Sequence, residues 1–330
     1  MDLFCILSTS YSLQARIDQA ARTVEGLLNY EGAYRNYISA VIDNLAEENI
    51  AYAELRLMLT EKYILCNNGI GKYSHSEQMR IIIASIEMKK EEFRRTGSSN
   101  SLRFGLKIIY CAPRSIPKGL MQQEVQNCIK LKLEFPDLIC GMPLAPSPNR
   151  SFMVLLRYPL KKISNTMPGF DLVGAEDRPN SIRFYRDELL AMMATCESLN
   201  VQIPFMFHAG ETLLDTGGSG DPANSNLYDA TVLRAKRVGH CFALTKHPEL
   251  MEQFKHLQIC VELCPTSNEL LNLCRNVKGH PYMQILARGI PCTLNSVKPN
   301  VFRLVFLRHL VSITFSAVRN DEVGIINFVM

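Results

Sequence analysis

Phe205-Met206-Phe207-His208-Ala209-Gly210-Glu211-Thr212 is an apolar run that ends abruptly in a histidine, two small residues and a carboxylate. A run of this kind predicts a buried strand whose C-terminal end delivers polar side chains to a pocket. His208 offers a neutral imidazole to a metal, and Glu211, just past the strand end, can move a proton without being a ligand itself. Ala209 and Gly210 leave room for something to approach the backbone. About one βα unit later Arg237-Val238-Gly239-His240 ends the same way, which places His240 at the mouth of the same pocket. A single strand-end histidine is usually a structural residue. Two such ends with a carboxylate beside one of them point to metal-assisted hydrolysis.

Composition sets the frame for that chemistry. The chain has 330 residues, 47% of them hydrophobic and 21% charged, with a net charge of +4. This is room for one α/β barrel domain of about 250 residues, and the charge predicts no nucleic-acid partner. No apolar run reaches the roughly 18 residues of a membrane span, so no membrane partner is expected. Met1-Asp2-Leu3-Phe4-Cys5-Ile6-Leu7 carries an acidic residue where a signal peptide has a basic one, which predicts a cytoplasmic chain as written. The eleven cysteines sit at apolar positions such as Cys111, Cys140, Cys260 and Cys264, and are expected to be buried free thiols. No Cys-x-x-Cys pair occurs, which argues against a cytidine-deaminase type of zinc site.

Along the chain, helical spacing covers residues 11–46 in two runs separated near Gly26 and the 29–32 stretch. Ile50 to Leu57 reads as a strand, with Glu54 and Arg56 pairing at its C-terminal rim. A helix at 76–95, a strand at 104–110 and a helix at 118–133 follow. Residues 137–141 and 170–174 read as two halves of one strand interrupted by the proline-rich, basic stretch Met142 to Pro168. After it come a helix at 181–199, the strand ending at His208, a helix opening at Asn226, the strand ending at His240, a helix at 246–256, a strand at 258–263, helices at 267–273 and 281–288, and a strand at 290–295. Regular alternation implies a parallel sheet with helices outside.

The ordered motifs His-Ala-Gly-Glu at 208–211, Asn-Leu-Tyr-Asp-Ala at 226–230, Lys-Arg-Val-Gly-His at 236–240, Lys-His-Pro at 246–248 and Glu-Leu-Cys-Pro-Thr-Ser-Asn at 262–268 resemble the adenosine deaminase superfamily. Phe170-Asp171-Leu172-Val173-Gly174-Ala175-Glu176-Asp177 and Gly26-Leu27-Leu28-Asn29-Tyr30 are most similar to its adenosine deaminase-related growth factor branch, whose members are often secreted. The resemblance runs from about Gly26 to Asn295, the insertion excepted. It implies a (β/α)₈ TIM-type barrel of the metal-dependent hydrolase kind with one zinc ion at its C-terminal mouth. It also implies conversion of adenosine and water to inosine and ammonia, a small-molecule purine nucleoside as partner, and room for a homodimer. Residue by residue, His208 matches a zinc ligand and Glu211 the acid that protonates the purine ring. His240 matches the histidine that helps activate the zinc-bound water, and the backbone of Gly174 matches a contact to the purine.

Departures from the pattern bear on activity. The family's His-x-His pair on the first strand has no counterpart in these residues. Thr293-Leu294-Asn295-Ser296-Val297-Lys298-Pro299 carries Val297 and Lys298 where the family has a zinc-ligating and a substrate-contacting aspartate, and Cys241 replaces a glycine. His208 is then the one ligand left of four, whereas catalytic zinc normally has three protein ligands. The expectation is one barrel domain over residues 1–330 that lacks the first strand, leaves the strands at Ile50 and Ile290 as open edges, and is inactive. The insertion at 142–168 and the tail at 297–330 are read as translated non-coding sequence. A non-catalytic purine- or protein-binding derivative of the barrel is the alternative.

Overall fold

A computed structural model describes residues 26–47, 52–59, 61–96, 105–136, 169–176, 180–213, 225–297 and 328–329. The predicted strand at 137–141, the insertion, the first helical run and most of the tail lie outside these residues.

The described chain alternates strands and helices much as its pattern predicts. Strands β1 (Tyr52–Met58), β4 (Gly105–Pro113), β5 (Phe170–Val173), β6 (Met206–Ala209), β7 (Arg237–His240), β8 (Cys260–Leu263) and β9 (Cys292–Leu294) form the parallel framework. A short antiparallel hairpin, β2 (Tyr63–Leu65) with β3 (Lys72–Ser74), lies between β1 and the helix that starts at His75. Helices α1 (Glu31–Glu47), α2 (His75–Thr96), α3 (Lys118–Glu134), α4 (Arg186–Ser198), α5 (Asn226–Val232), α6 (Pro248–His256), α7 (Pro265–Leu270) and α8 (Tyr282–Ala287) supply the covering layer. Local chemistry sets their limits. At the start of α2 the Glu77 carboxylate accepts the Ser74 backbone N–H at 2.6 Å while the Ser74 hydroxyl faces the Glu77 N–H at 3.4 Å, a reciprocal cap that satisfies two donors the helix cannot. Met79, Ile82 and Ile86 then recur at helical spacing on the buried face.

Strand order explains how the sheet curves around on itself. β6, β7, β8 and β9 are neighbours in sequence and in space, and β1, β4 and β5 form the other arc. The arcs meet at the Phe170–Phe205 bridge, where the Phe170 N–H donates to the Pro204 carbonyl at 2.9 Å. Past Asn295 the chain of β9 continues as β10 (Ser296–Val297). The two-residue β11 (Phe328–Val329) lies parallel between β10 and β1, opposite Leu55 and Arg56. The expectation of open edges beside Ile50 and Ile290 is therefore corrected. Backbone N–H and C=O groups are all that such a pairing requires, so a two-residue segment of the tail can stand where the first strand was expected to be missing.

At the junction of the arcs a side chain has no room. A Cβ added to Gly169 would stand 1.9 Å from the Pro204 carbonyl oxygen, so Gly169→Ala must push β5 away from β6. The expected loss is about 1–3 kcal/mol, read from urea midpoints. Gly119→Ala on α3, where nothing lies within 4 Å, serves as the clash-free control and is expected to gain about 0.4–1 kcal/mol.

Alternation along β1 shows how both faces of the sheet are used. Ala53, Leu55 and Leu57 pack into the main hydrophobic core. Glu54 and Arg56 point the other way, into the interior of the sheet ring, and are 7% and 2% exposed. The sequence-based pairing of these two residues with each other is corrected: Arg56 Nε meets Asp171 Oδ2 at 2.6 Å and its Nη2 meets Glu262 Oε2 at 2.6 Å, while Glu54 takes Arg237. Arg237 also reaches Glu262 at 3.0 Å, and Lys107 faces Glu54 across the β1–β4 register. A ladder of alternating charge thus crosses the ring beneath the strand ends. All nine described cysteines are free, with Cys111 and Cys264 buried and Cys260 partly so.

Candidate active site

Three of the four residues singled out from the sequence converge at the C-terminal ends of neighbouring strands. β6 and β7 pair with His208 opposite Gly239 and Ala209 opposite His240, so the two histidines leave the sheet side by side with ring centroids 5.1 Å apart. Glu211 turns back over them, and its Oε1 lies 2.9 Å from His240 Nδ1 and 3.3 Å from the Ser267 hydroxyl that donates to it. Burial pushes the Glu211 carboxyl up, but the His240 imidazole, with His208 and Ser267, outweighs it and holds the group below its usual value. Such a carboxylate is poised to hold a proton in transit between itself and the imidazole.

His208 is fixed from below. Asp171 Oδ1 accepts its backbone N–H at 2.8 Å and Asp171 Oδ2 lies 2.7 Å from Nδ1. Its carbonyl accepts from Arg114 Nη2. Burial raises the Asp171 carboxyl, yet His208 and Arg56 together draw it far below the ordinary range. The sequence reading quoted Asp171 inside Phe-Asp-Leu-Val but gave it no role. A carboxylate in the middle of an apolar strand was the available signal, because burial of a charge demands partners.

His240 also reaches inward. Asn268 Nδ2 lies 3.2 Å from its Nδ1, Asn268 Oδ1 lies 2.9 Å from His280 Nε2, and His280 Nδ1 accepts the Tyr282 N–H at 3.1 Å. Asn268, fully buried, was visible only as the last letter of a motif. His240 and Cys241 both sit in the left-handed region, with φ of +66° and +50°. The glycine expected at 241 would adopt this shape freely, so the cysteine carries a strain of roughly 1–2 kcal/mol.

Gly174 closes β5 with φ of +111°, and nothing stands within 4 Å of where its side chain would be. Gly210 has φ of +75°, and a Cβ there would meet Leu227 at 3.0 Å. The turn after β6 therefore needs glycine twice over, for its backbone shape and for its packing.

The residues present do not fit a catalytic zinc. Among the described residues no three His, Cys, Asp or Glu side chains are grouped to hold a metal ion. Asp171 on Nδ1 leaves the Nε2 of His208 free for a ligand, but with no group of three donors around it among the described residues a single imidazole does not hold the ion. Val297 has no donor atom in its side chain, and Lys298 lies outside the described residues.

A parallel α/β ring with polar residues gathered at the C-terminal strand ends defines the class as the fold of amidohydrolase and adenosine deaminase structures. It matches adenine deaminase from Arthrobacter aurescens with a TM-score of 0.52 at 15% identity, covering 80% of this chain and 62% of that one. It matches Arabidopsis ADAL complexed with GMP with a TM-score of 0.54 at 15% identity, covering 90% and 77%. The adenosine deaminase family model matches residues 154–323, more than half of the chain, and the chain belongs to that family. Adenosine deaminase 2 of Sus scrofa is 30% identical over 84% of this chain and 46% of its own length. The chain thus spans about half the length of the curated relatives it matches. The matched range begins inside the proline-rich stretch and runs past Asn295 to residue 323.

Proposed function

We propose that this chain is an adenosine deaminase-type purine nucleoside aminohydrolase by descent whose 330 residues do not by themselves convert adenosine to inosine. The observation that carries this reading is the contrast inside one site. Glu211 and His240 are held together, His240 buried and Glu211 partly so, while His208 is the one imidazole in place of the ligand set the resemblance implies. The family is typically zinc-dependent, and the ion would supply the activated water that these side chains cannot generate. What the chain's own residues offer is recognition. Glu211 presents a carboxyl to a ring nitrogen, the open backbone at Gly174 admits a flat heterocycle, and the His208–His240 pair lines the wall beside it. This leaves a second reading open to test, a non-catalytic purine-binding derivative, favoured by the intact Glu211–His240 contact.

The test is metal analysis and ultraviolet-monitored deamination on the purified chain after zinc loading and dialysis, with inosine binding followed by calorimetry. The expected result is zinc far below one per chain and no turnover. Val297→Asp with Lys298→Asp should remain inactive, since two histidine ligands would still be lacking. One zinc per chain together with turnover abolished by Glu211→Gln would overturn the proposal. Inosine binding without turnover would establish the second reading.

A further inference from the structure

Glu176 lies two residues beyond Gly174, carries no role in the chemistry described so far, and is 4% exposed. Its carboxylate is shared among three donors. Oε1 accepts the Gly210 backbone N–H at 2.7 Å and the Asn226 side-chain amide at 3.0 Å, and Oε2 accepts the Glu211 backbone N–H at 2.5 Å. Asn226, fully buried, completes the tie by accepting the Ile182 N–H on its Oδ1 at 2.8 Å. One carboxylate therefore joins the turn after β5, the turn after β6 and the first residue of α5.

The turn it grips is the one that carries Glu211. Gly210 sits at φ +75°, and successive N–H groups in such a turn converge on a single point, a concavity that suits an anion. Glu176 fills that concavity from within the chain. The amide it holds at 2.5 Å belongs to Glu211 itself, whose side chain must reach His240 at 2.9 Å. Loss of the tie frees the turn to rotate about Gly210 and carries the Glu211 carboxylate away from the imidazole.

We infer that Glu176 is a positioning residue that sets the distance between Glu211 and His240 and aligns both with the open backbone of Gly174. The inference rests on the reading of Glu211 as the group that faces the purine. The chemistry requires an acceptor on both oxygens. Glutamine would set an NH₂ against one backbone N–H, donor against donor, while aspartate, shorter by one methylene, keeps the charge but reaches less far.

The experiment uses the full chain labelled with ¹⁵N and no added metal. Amide exchange at Gly210 and Glu211 is compared with that at Phe207, and the His240 ring nitrogens are followed at fixed pH. Glu176→Gln is expected to speed exchange at Gly210 and Glu211 by about tenfold or more, the effect of losing a hydrogen bond to a charged acceptor. It should also move the His240 ring signals in the direction that Glu211→Gln moves them, and Glu176→Asp should give a smaller displacement of the same sign. Should Glu176→Gln fail to fold, Glu176→Asp and Asn226→Ala carry the same two readouts. Faster exchange with unmoved His240 signals, in a chain where Glu211→Gln does move them, would reduce Glu176 to a structural tie and overturn the inference. His240 signals unmoved by Glu211→Gln would instead remove the Glu211–His240 pair, and with it the functional reading on which the inference stands.

Discussion

Arg56→Met is expected to cost the fold about 3–5 kcal/mol, the largest single-residue effect anticipated in this chain. Arg56 is almost wholly enclosed and holds two carboxylates that are equally enclosed, Asp171 at 2.6 Å and Glu262 at 2.6 Å. Burial alone would lower the pKa of its guanidinium, and the two carboxylates beside it more than reverse that, so the three groups are stable only as a set. Methionine matches much of the volume and removes the charge. Two desolvated anions are then left facing each other across the ring, with His208 and Arg237 as their remaining partners. The dependence on pH separates this cause from simple loss of packing. Asp171 and Glu262 have lowered pKa values in the fold, so their contribution is present above the ordinary carboxylate range and is lost as pH falls. The gap between wild type and variant should be widest near neutrality and should narrow in acid, where the orphaned carboxylates take up protons. Urea unfolding from pH 7 down to pH 4 measures it. A loss below about 1 kcal/mol, the range of exposed pairs such as Arg288 with Glu252, would show that the ladder is not under electrostatic load.

That ladder also marks the limit of what the sequence disclosed. The alternation of strands and helices, and the arrival of His208, Glu211 and His240 at one place, follow from apolar runs that end in polar residues, because a buried strand can expose chemistry only at its ends. Ala53, Leu55 and Leu57 against Glu54 and Arg56 is also a plain period of two. What the period does not contain is the partner of each charge. In a closed ring the interior face of β1 looks across at β5 and β8, and strand order decides this, not proximity along the chain. Reading Glu54 and Arg56 as each other's partners was the natural error. Closure beside β1 was hidden for a related reason: Phe328 and Val329 pair through backbone groups, which leave no mark in side-chain pattern. Glu176 and Asn268 were quoted within motifs yet left unassigned, since their work is to hold backbone or ring nitrogens that only the fold brings near.

His280 supplies the second large effect, and its sign is opposite to that of a histidine that gains a carboxylate partner. Burial lowers its pKa from the ordinary 6.5 to about 4, with His240 adding in the same direction. The neutral ring fits its surroundings, because Nδ1 accepts the Tyr282 N–H and Nε2 is then the protonated nitrogen that meets Asn268 Oδ1 at 2.9 Å. A proton on Nδ1 would set donor against donor. Between pH 6.5 and about 4 the unfolded chain therefore binds a proton at this residue that the folded chain refuses. Stability carried by the neutral ring is full above 6.5 and drains away as pH falls toward 4, by about 3 kcal/mol in all. His280→Gln keeps an amide near Asn268 and cannot titrate, so its stability should be lower than that of wild type at pH 7.5 but flatter across this window. The two unfolding curves should converge by about 2.4 kcal/mol between pH 7 and pH 4.5, with the carboxylates common to both chains cancelling in the comparison. Parallel pH profiles for the two proteins would mean that the folded ring accepts its proton near the ordinary value, and that the Tyr282–His280–Asn268 chain does not hold the inner side of His240 as described.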